Sequence, residues 1–264
     1  MSFHFNPKLV TDGLLWAMDI ANPTSFTPPY GGSGNNINDL TLYNNNFTLI
    51  SSSTARPYTY NSNNLGSMDF FNDSMASTTL GSYAQLNSII DTGNNFSVFF
   101  WVNPYSGSSI ANGTGRNTVM TNAYRYNNSP SPKCGWFFLT YITFGAFTNG
   151  FTFVLGRDTS VLNVGNNSIV PNTWQYLGFT IANSGGTMIA YRNGVQVAST
   201  TSNTTAMNYT GNTTASLARR WDSNSDLPDR FSGSLAAGHI YNRVLTPQEV
   251  GQNYNAYKAR FGLT

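Results

Sequence analysis

Ionisable side chains are scarce in this chain. Of its 264 residues, 9% are charged, against about 25% in an ordinary globular protein. Glu249 is the only glutamate, Cys134 the only cysteine, and His4 and His239 the only histidines. A single cysteine excludes an intrachain disulfide and a thiolate metal site, and beside Gly135 and Trp136 it reads as a small buried hydrophobe. His4 falls in the N-terminal segment and His239 in the core-type run Gly238-His-Ile-Tyr241, where a structural histidine with its hydrogen bonds satisfied is expected. No apolar run is long enough to span a bilayer. Met1 to Lys8 lacks the basic and apolar regions of a secretory signal peptide, so synthesis in a cytoplasm is expected, without a membrane partner. The net charge is +2 and the thirteen basic residues are scattered, Arg219-Arg220 being the only doublet. That distribution gives no footprint for nucleic acid. Asn-x-Ser/Thr triplets at Asn46, Asn112, Asn203 and Asn212 are expected by chance in so Asn- and Thr-rich a chain.

What the chain has instead is aromatic and β-type sequence. Hydrophobic residues make up 40% and aromatics 14%, enough for a sizeable core. Phe96-Ser-Val-Phe-Phe-Trp-Val102 is apolar on both alternating faces except at Ser97, the pattern of a strand covered on both sides. Asn103-Pro104 stops it. Residues 136–142, 151–155 and 174–181 are similar, and 187–191 and 195–199 flank Arg192-Asn193-Gly194. Asn-Gly supplies the positive φ angles of a type I′ turn, so this is a hairpin. Near the end, Thr246, Pro247 and Glu249 form a capping-box helix start. Val250, Tyr254, Tyr257 and Phe261 then recur on one helical face, Lys258 and Arg260 complement the negative end of the dipole, and Gly262 can terminate it. Many strands and one helix predict an all-β fold of two packed antiparallel sheets with one short C-terminal helix. No interdomain linker or fixed-period repeat is visible, so residues 1–264 read as a single domain, with 105–133 and 200–217 as elaborated loops.

In order and spacing these segments resemble the concanavalin A-like lectin/glucanase superfamily, in its laminin-G-like or pentraxin-like branch. Residues 13–23, Gly-Leu-Leu-Trp-Ala-Met-Asp-Ile-Ala-Asn-Pro, resemble that family's opening strand, and Ser67-Met-Asp-Phe70 its "S-F-D-G" strand, with Phe71-Asn72 departing from the usual glycine. Residues 96–104, Thr173-Trp174, Tyr191 to Val195 and the tail from Phe231 resemble further motifs in sequence order. The resemblance implies a jelly-roll sandwich. The Asp-x-x-Asn-Pro opening and the Asn-Tyr-Asn-Ala ending also resemble structural proteins of tailed bacteriophages, and a surface rich in hydroxyls and amides but poor in charge is shared with virion proteins and adhesins. This fold hosts enzymes, lectins and structural modules, so it implies no single activity.

Glycoside hydrolysis normally needs two carboxylates. The family's glucanase motif, of the type E-x-D-x-x-E, is absent, and capping accounts for Glu249. Asp19, Asp69 and Asp91 are separated by long stretches, so no catalytic residue is expected. Tyr124, Arg125, Tyr126 and Trp221 lie in polar surroundings and are the candidates for a carbohydrate platform; aromatics at such positions serve protein interfaces equally well. Asp222, Asn224, Asp226 and Asp229 space oxygen ligands at alternate positions, as Ca2+ prefers. The segment departs from an EF-hand loop, with Leu227 where glycine is needed and Gly233 where the bidentate glutamate belongs. Its plainer reading is a polar loop whose aspartates make turns, and no other cofactor is suggested.

The expectation is a non-enzymatic bacteriophage virion protein, a capsid decoration, fibre or tail accessory, acting in the virion by docking to other capsid or tail proteins. Host-surface polysaccharide is a second class of partner, and a homo-oligomer or attachment to a lattice would supply avidity. The alternatives are a soluble carbohydrate-binding lectin or receptor-binding module and, third, an unusual glycanase.

Overall fold

A computed structural model describes residues 8–28, 35–51, 58–62, 66–70, 81–106, 116–122, 135–144, 147–155, 160–165, 167–182, 186–201, 207, 209, 214–222 and 225–264. Along these residues run β1 (Leu14–Asp19), β2 (Asn36–Ile37), β3 (Phe47–Ser51), β4 (Thr59–Asn61), β5 (Ser67–Phe70) and β6 (Ser82–Leu86). Then come β7 (Phe96–Pro104), β8 (Arg116–Asn122), β9 (Trp136–Phe144), β10 (Phe147–Leu155), β11 (Ser160–Val164) and β12 (Gln175–Ile181). The last are β13 (Thr187–Arg192), β14 (Val195–Thr201), β15 (Ala215–Leu217), β16 (Arg219–Asp222), β17 (Ser225–Arg230) and β18 (Gly233–Tyr241), followed by helix α1 (Pro247–Tyr257) and a 3₁₀ turn, Lys258–Phe261.

The strands form two sheets. The eight-stranded sheet runs β14-β13-β12-β7-β18-β5-β4, with β1 on the same side of β18 as β5. The ten-stranded sheet runs β11-β10-β9-β8-β15-β6-β3-β2, with the hairpin β16–β17 attached to β8. Pairing is antiparallel throughout, apart from one parallel bridge, Arg230 to Thr118. This is the jelly-roll sandwich the sequence predicts. Two of the tracts expected to be loops contain strands: β8 lies within 105–133 and β15 within 200–217. Their residues, such as Arg-Asn-Thr-Val-Met-Thr-Asn, are too polar to announce burial, yet Asn117, Thr118, Thr121 and Ser216 are all buried.

Alternation explains the layers. Phe96, Val98, Phe100 and Val102 on β7 point into the core between the sheets, where they meet Trp136, Phe138 and Phe153 of the other sheet. Phe99 and Trp101 point the opposite way. The outer face of the eight-stranded sheet is therefore also apolar, and the C-terminal helix covers it. Phe261 stacks on Trp101 at 4.3 Å between ring centroids and meets Trp174 at 4.7 Å. Tyr254 stacks on Trp101 at 5.7 Å. Gly178 and Gly238 lie directly opposite Phe99 and Phe100 across their strand pairs. A Cβ there would sit 2.2 or 2.5 Å from ring carbons, so the bare backbone is what lets those rings lie down.

Sequence and structure agree closely on the helix. Thr246 Oγ1 accepts from Glu249 N, the Glu249 carboxylate accepts from Thr246 N, Pro247 opens the first turn, and Gly262 closes the end with φ 68°. Asn193 and Gly194 take φ 51° and 80° in the β13–β14 hairpin, as the type I′ turn requires. One residue on the buried helical face was not anticipated. Asn253, fully buried, accepts from Val10 N through Oδ1 and donates through Nδ2 to the Tyr241 hydroxyl, both at 2.9 Å. That hydroxyl in turn donates to Val10 O.

Candidate functional site

The helix covers one outer sheet face; the outer face of the ten-stranded sheet is covered in part, with Phe137, Leu139, Tyr141 and Val154 forming a small buried cluster on it. Its composition changes along the row of paired residues that crosses it. Val161, Val154 and Phe137 occupy β11, β10 and β9 in register, an apolar half. From β8 onward the same row reads Thr121, Ser216, Gln85, Thr48 and Asn36, one polar side chain on each of five consecutive strands. The local reason is period-two alternation: Phe47 and Leu49 flank Thr48, Ala84 and Leu86 flank Gln85, and Ala215 and Leu217 flank Ser216, and all six enter the core. At about 4.8 Å per strand the polar ladder spans roughly 19 Å.

The ladder grades from buried to exposed. Thr121 and Ser216 are fully buried, Gln85 is half-buried, and Thr48 and Asn36 are exposed. Thr121 donates to Arg219 O at 3.0 Å. Ser216 Oγ has no hydrogen-bond partner, nor does Thr118 Oγ1, one step along β8 on the same face. A buried hydroxyl left unpaired costs about 1–3 kcal/mol, and because both are covered by the protein itself, the accessible part of the row is Gln85, Thr48 and Asn36.

Beside the ladder stands Tyr83. Ala218, at φ 61°, kinks the chain out of β15 and starts the hairpin β16–β17, whose first and last residues, Arg219 and Arg230, are paired across it. Both are almost fully buried, and their guanidinium carbons lie 4.1 and 5.4 Å from the Tyr83 ring centroid. At these distances each cation is attracted by the ring face. A Cβ on Gly81 would come within 2.9 Å of Arg230 Cδ, so glycine makes room for the second arginine.

The residues expected from sequence fall as follows. Trp221, Asp222, Asp226 and Asp229 share the β16–β17 hairpin, Trp221 paired with Asp226 and Asp222 with Ser225. The segment read as a polar loop is thus largely strand, rooted next to Tyr83. Tyr124, Arg125, Tyr126 and Asn224 lie outside the described residues, as do His4 and Cys134. The ladder and the Tyr83 cluster were missed, although the triplets Phe-Thr-Leu, Ala-Gln-Leu and Ala-Ser-Leu carry the alternation that would have found them.

Asp19 is ion-paired with Arg260 at 2.7 Å, Asp69 accepts from Ser234 at 2.6 Å, and Asp91 accepts from Gly93 N. Each therefore has a structural role. Among the described residues no three His, Cys, Asp or Glu side chains group as metal ligands do. His239 is fully buried as expected, but neither ring nitrogen has a hydrogen-bond partner, and burial lowers its pKa to about 3.

The family model of the concanavalin A-like lectin/glucanase superfamily matches residues 77–251. Comparison with curated proteins returns no match. Among solved structures, domain 4 of an extracellular arabinanase from Geobacillus stearothermophilus, in complex with arabinotriose, superposes with a TM-score of 0.58 at 16% identity, over 91% of this chain and 98% of that one. The binding domain of botulinum neurotoxin DC in complex with rat synaptotagmin II gives 0.60 at 14% identity, over 92% of this chain and 51% of that one. The same toxin's binding domain in complex with SialylT gives 0.59 at 15%, over 93% and 52%. The chain spans about half the length of those toxin domains. These likenesses establish a shared lectin-like sandwich.

Proposed function

Because the chain belongs to the concanavalin A-like lectin/glucanase superfamily, we propose that it is a non-enzymatic, saccharide-binding structural protein of a bacteriophage particle, docked to capsid or tail proteins. Gln85, Thr48 and Asn36 carry the saccharide reading, as a row of accessible polar side chains on three adjacent strands, on the sheet face that also bears the Tyr83 cluster. A sugar offers hydroxyls to such a row and an apolar ring face to a neighbouring aromatic. Arabinotriose and SialylT in the similar solved structures lend support at the level of the fold. The virion setting is supported by the likeness of the opening and closing segments to tailed-phage structural proteins and by the charge-poor composition. A receptor-binding module outside a virion is the second reading, favoured by the similarity to toxin binding domains.

Retention on a panel of bacterial surface polysaccharides, with released reducing sugar assayed in parallel, tests the first reading. Saturable retention that Gln85→Ala and Thr48→Ala both weaken, without sugar release, is expected. Sugar release would turn the assignment to a glycanase, and failure to bind any glycan would leave only the docking role. A chelator arm tests Ca2+ at Asp222, Asn224, Asp226 and Asp229: binding that survives chelation removes the ion from the proposal. Co-purification at fixed stoichiometry with a capsid or tail protein separates the virion protein from the free receptor-binding module.

A further inference from the structure

The segment that packs on the outer face of the eight-stranded sheet has a hydrophobic core of its own. Val250, Tyr254 and Phe261 pack there with Phe99, Trp101 and Trp174. Among the described residues, the core between the sheets takes none after Ile240. Helix α1 and the 3₁₀ turn can therefore lift away while the two sheets stay packed on each other, which is the condition for a local opening that costs less than global unfolding.

Aromatic stacking and a few polar clamps hold the helix down. Phe261 and Tyr254 stack on Trp101, Asn253 bridges Val10 N and the Tyr241 hydroxyl, and Arg260 donates to Asp19 and to Gly66 O, both at 2.7 Å. Against these stand polar atoms that docking strips of water. His239 projects from β18 onto this face between Ala17 of β1 and Phe99 of β7, and the Tyr257 ring closes over it. It is fully buried with neither Nδ1 nor Nε2 hydrogen-bonded, and the Trp101 indole N–H is in the same state. Each such group costs stability only while it is kept from water. β1 and β7 flank the imidazole in the plane of the sheet, so α1 is the element whose departure wets it. The ionisable groups on the elements around it give a proton no compensation. On β1, Asp19 is paired with Arg260, and β7 carries no ionisable side chain. The segment before β1 carries Lys8 and Asp12, and Asp12 is paired with Arg243. β18 adds Tyr241, while α1 and the turn add Tyr254, Tyr257, Lys258, Arg260 and Glu249, the last paired with Arg243. An imidazolium would find cations and hydroxyls there but no uncommitted carboxylate.

We propose that residues 245–263 form a flap that mild acid releases from the outer face of the eight-stranded sheet, with His239 as its proton trigger, while the core between the sheets stays closed. Burial holds the docked imidazole at a pKa of about 3, against 6.5 when it is exposed, so the open flap takes up a proton that the docked one refuses. Opening therefore becomes easier as pH falls from 6.5 towards 3, about tenfold per unit and roughly 25-fold between pH 7 and pH 5. Release uncovers Trp101 and Trp174 on the sheet opposite the polar ladder, so the device is independent of what the ladder binds.

Native-state hydrogen exchange on the full chain tests it, with each rate corrected for intrinsic exchange at its pH. In the wild type at pH 7 the amides of Val250 to Tyr257 should be less protected than those of Phe151 and Phe153 in the core between the sheets, marking the flap as a separate unit. Their protection should fall roughly 25-fold from pH 7 to pH 5. His239→Gln keeps a polar side chain in place without a proton to gain and should abolish that fall. His239→Leu, matched to the apolar surroundings, should do the same. Helix amides as protected as the inter-sheet core at both pH values would mean that the flap opens only with the whole chain, which overturns the proposal. No fall in the wild type, or a fall that persists in both variants, overturns it equally.

Discussion

Replacing His239 with leucine should remove most of the sensitivity of this fold to mild acid. His239 lies on the outer face of the eight-stranded sheet, opposite Ala17 on one neighbouring strand and Phe99 on the other, with the Tyr257 ring of α1 5.5 Å above it. Burial holds its pKa at about 3, against an ordinary value of 6.5. The charged groups near it are already committed, Asp19 to Arg260, and the Tyr257 hydroxyl stays neutral because burial raises it to about 12. Between pH 6.5 and 3 the unfolded chain binds a proton at this position that the folded chain refuses, so stability falls as pH falls through that window. The loss approaches about 1.4 kcal/mol per pH unit below 6.5 and amounts to roughly 2 kcal/mol between pH 7 and pH 5. Urea unfolding at pH 7 and pH 5, wild type against His239→Leu, reads it directly. The variant should keep nearly the same stability at both values, and at pH 7 it should be at least as stable as the wild type, having shed two buried nitrogens without partners. A wild type equally stable at pH 7 and pH 5, or a variant that keeps the full acid slope, would refute the reasoning.

Three further outcomes are expected. Phe261→Ala empties the slot between Trp101 and Trp174 and should cost about 3–5 kcal/mol, seen as a lower urea midpoint with loss of near-ultraviolet tryptophan signal. Asn253→Ala strips the amide of Val10 and the Tyr241 hydroxyl of a buried partner and should cost about 2–4 kcal/mol, with faster hydrogen exchange at Val10. Glu249 is held by Arg243 at about pKa 2, below an ordinary 4.5, so its contribution is present above pH 4.5 and disappears as pH falls through 2. Glu249→Gln should therefore lower the melting temperature at pH 7, by the equivalent of about 1 kcal/mol for a half-buried pair partly screened by solvent, and the difference should vanish below pH 2.

How much of this molecule could be read in advance depended on whether a segment's signal was local. The C-terminal helix was legible because a capping box, a proline at the first turn and a glycine stop are each fixed by three or four neighbouring residues. The Asn193-Gly194 hairpin was legible for the same reason. β7 stood out because a strand covered on both faces is continuously apolar. β8 and β15 did not, since both are polar strands whose burial depends on what the rest of the chain lays against them, and composition alone made them look like loops. Asn253 shows the same limit within the helix. Its helical face was visible, but its partners, Val10 and the Tyr241 hydroxyl, are 243 and 12 residues away, and no local pattern announces that a polar residue there will be satisfied.

The candidate site was hidden more deeply, for a reason that bears on its role. Aromatic and acidic residues in polar surroundings drew the sequence reading to Tyr124–Tyr126 and to Asp222–Asp229. Thr121, Ser216, Gln85, Thr48 and Asn36 are five ordinary side chains spread from residue 36 to residue 216, and only strand register makes them a row. Trp221 lies on the hairpin rooted beside Tyr83, and the cluster of Tyr83 with Arg219 and Arg230 is assembled by the β6–β15 and β16–β17 pairings, which no local sequence signal announces. A surface built this way tolerates change at any one rung while keeping its geometry, since the sheet backbone and the core residues flanking each rung fix where it points. Specificity in such a site resides in the order of donors and acceptors along the ladder, so an exchange such as Gln85→Glu should alter which saccharide is retained on the polysaccharide panel while leaving the unfolding midpoint unchanged.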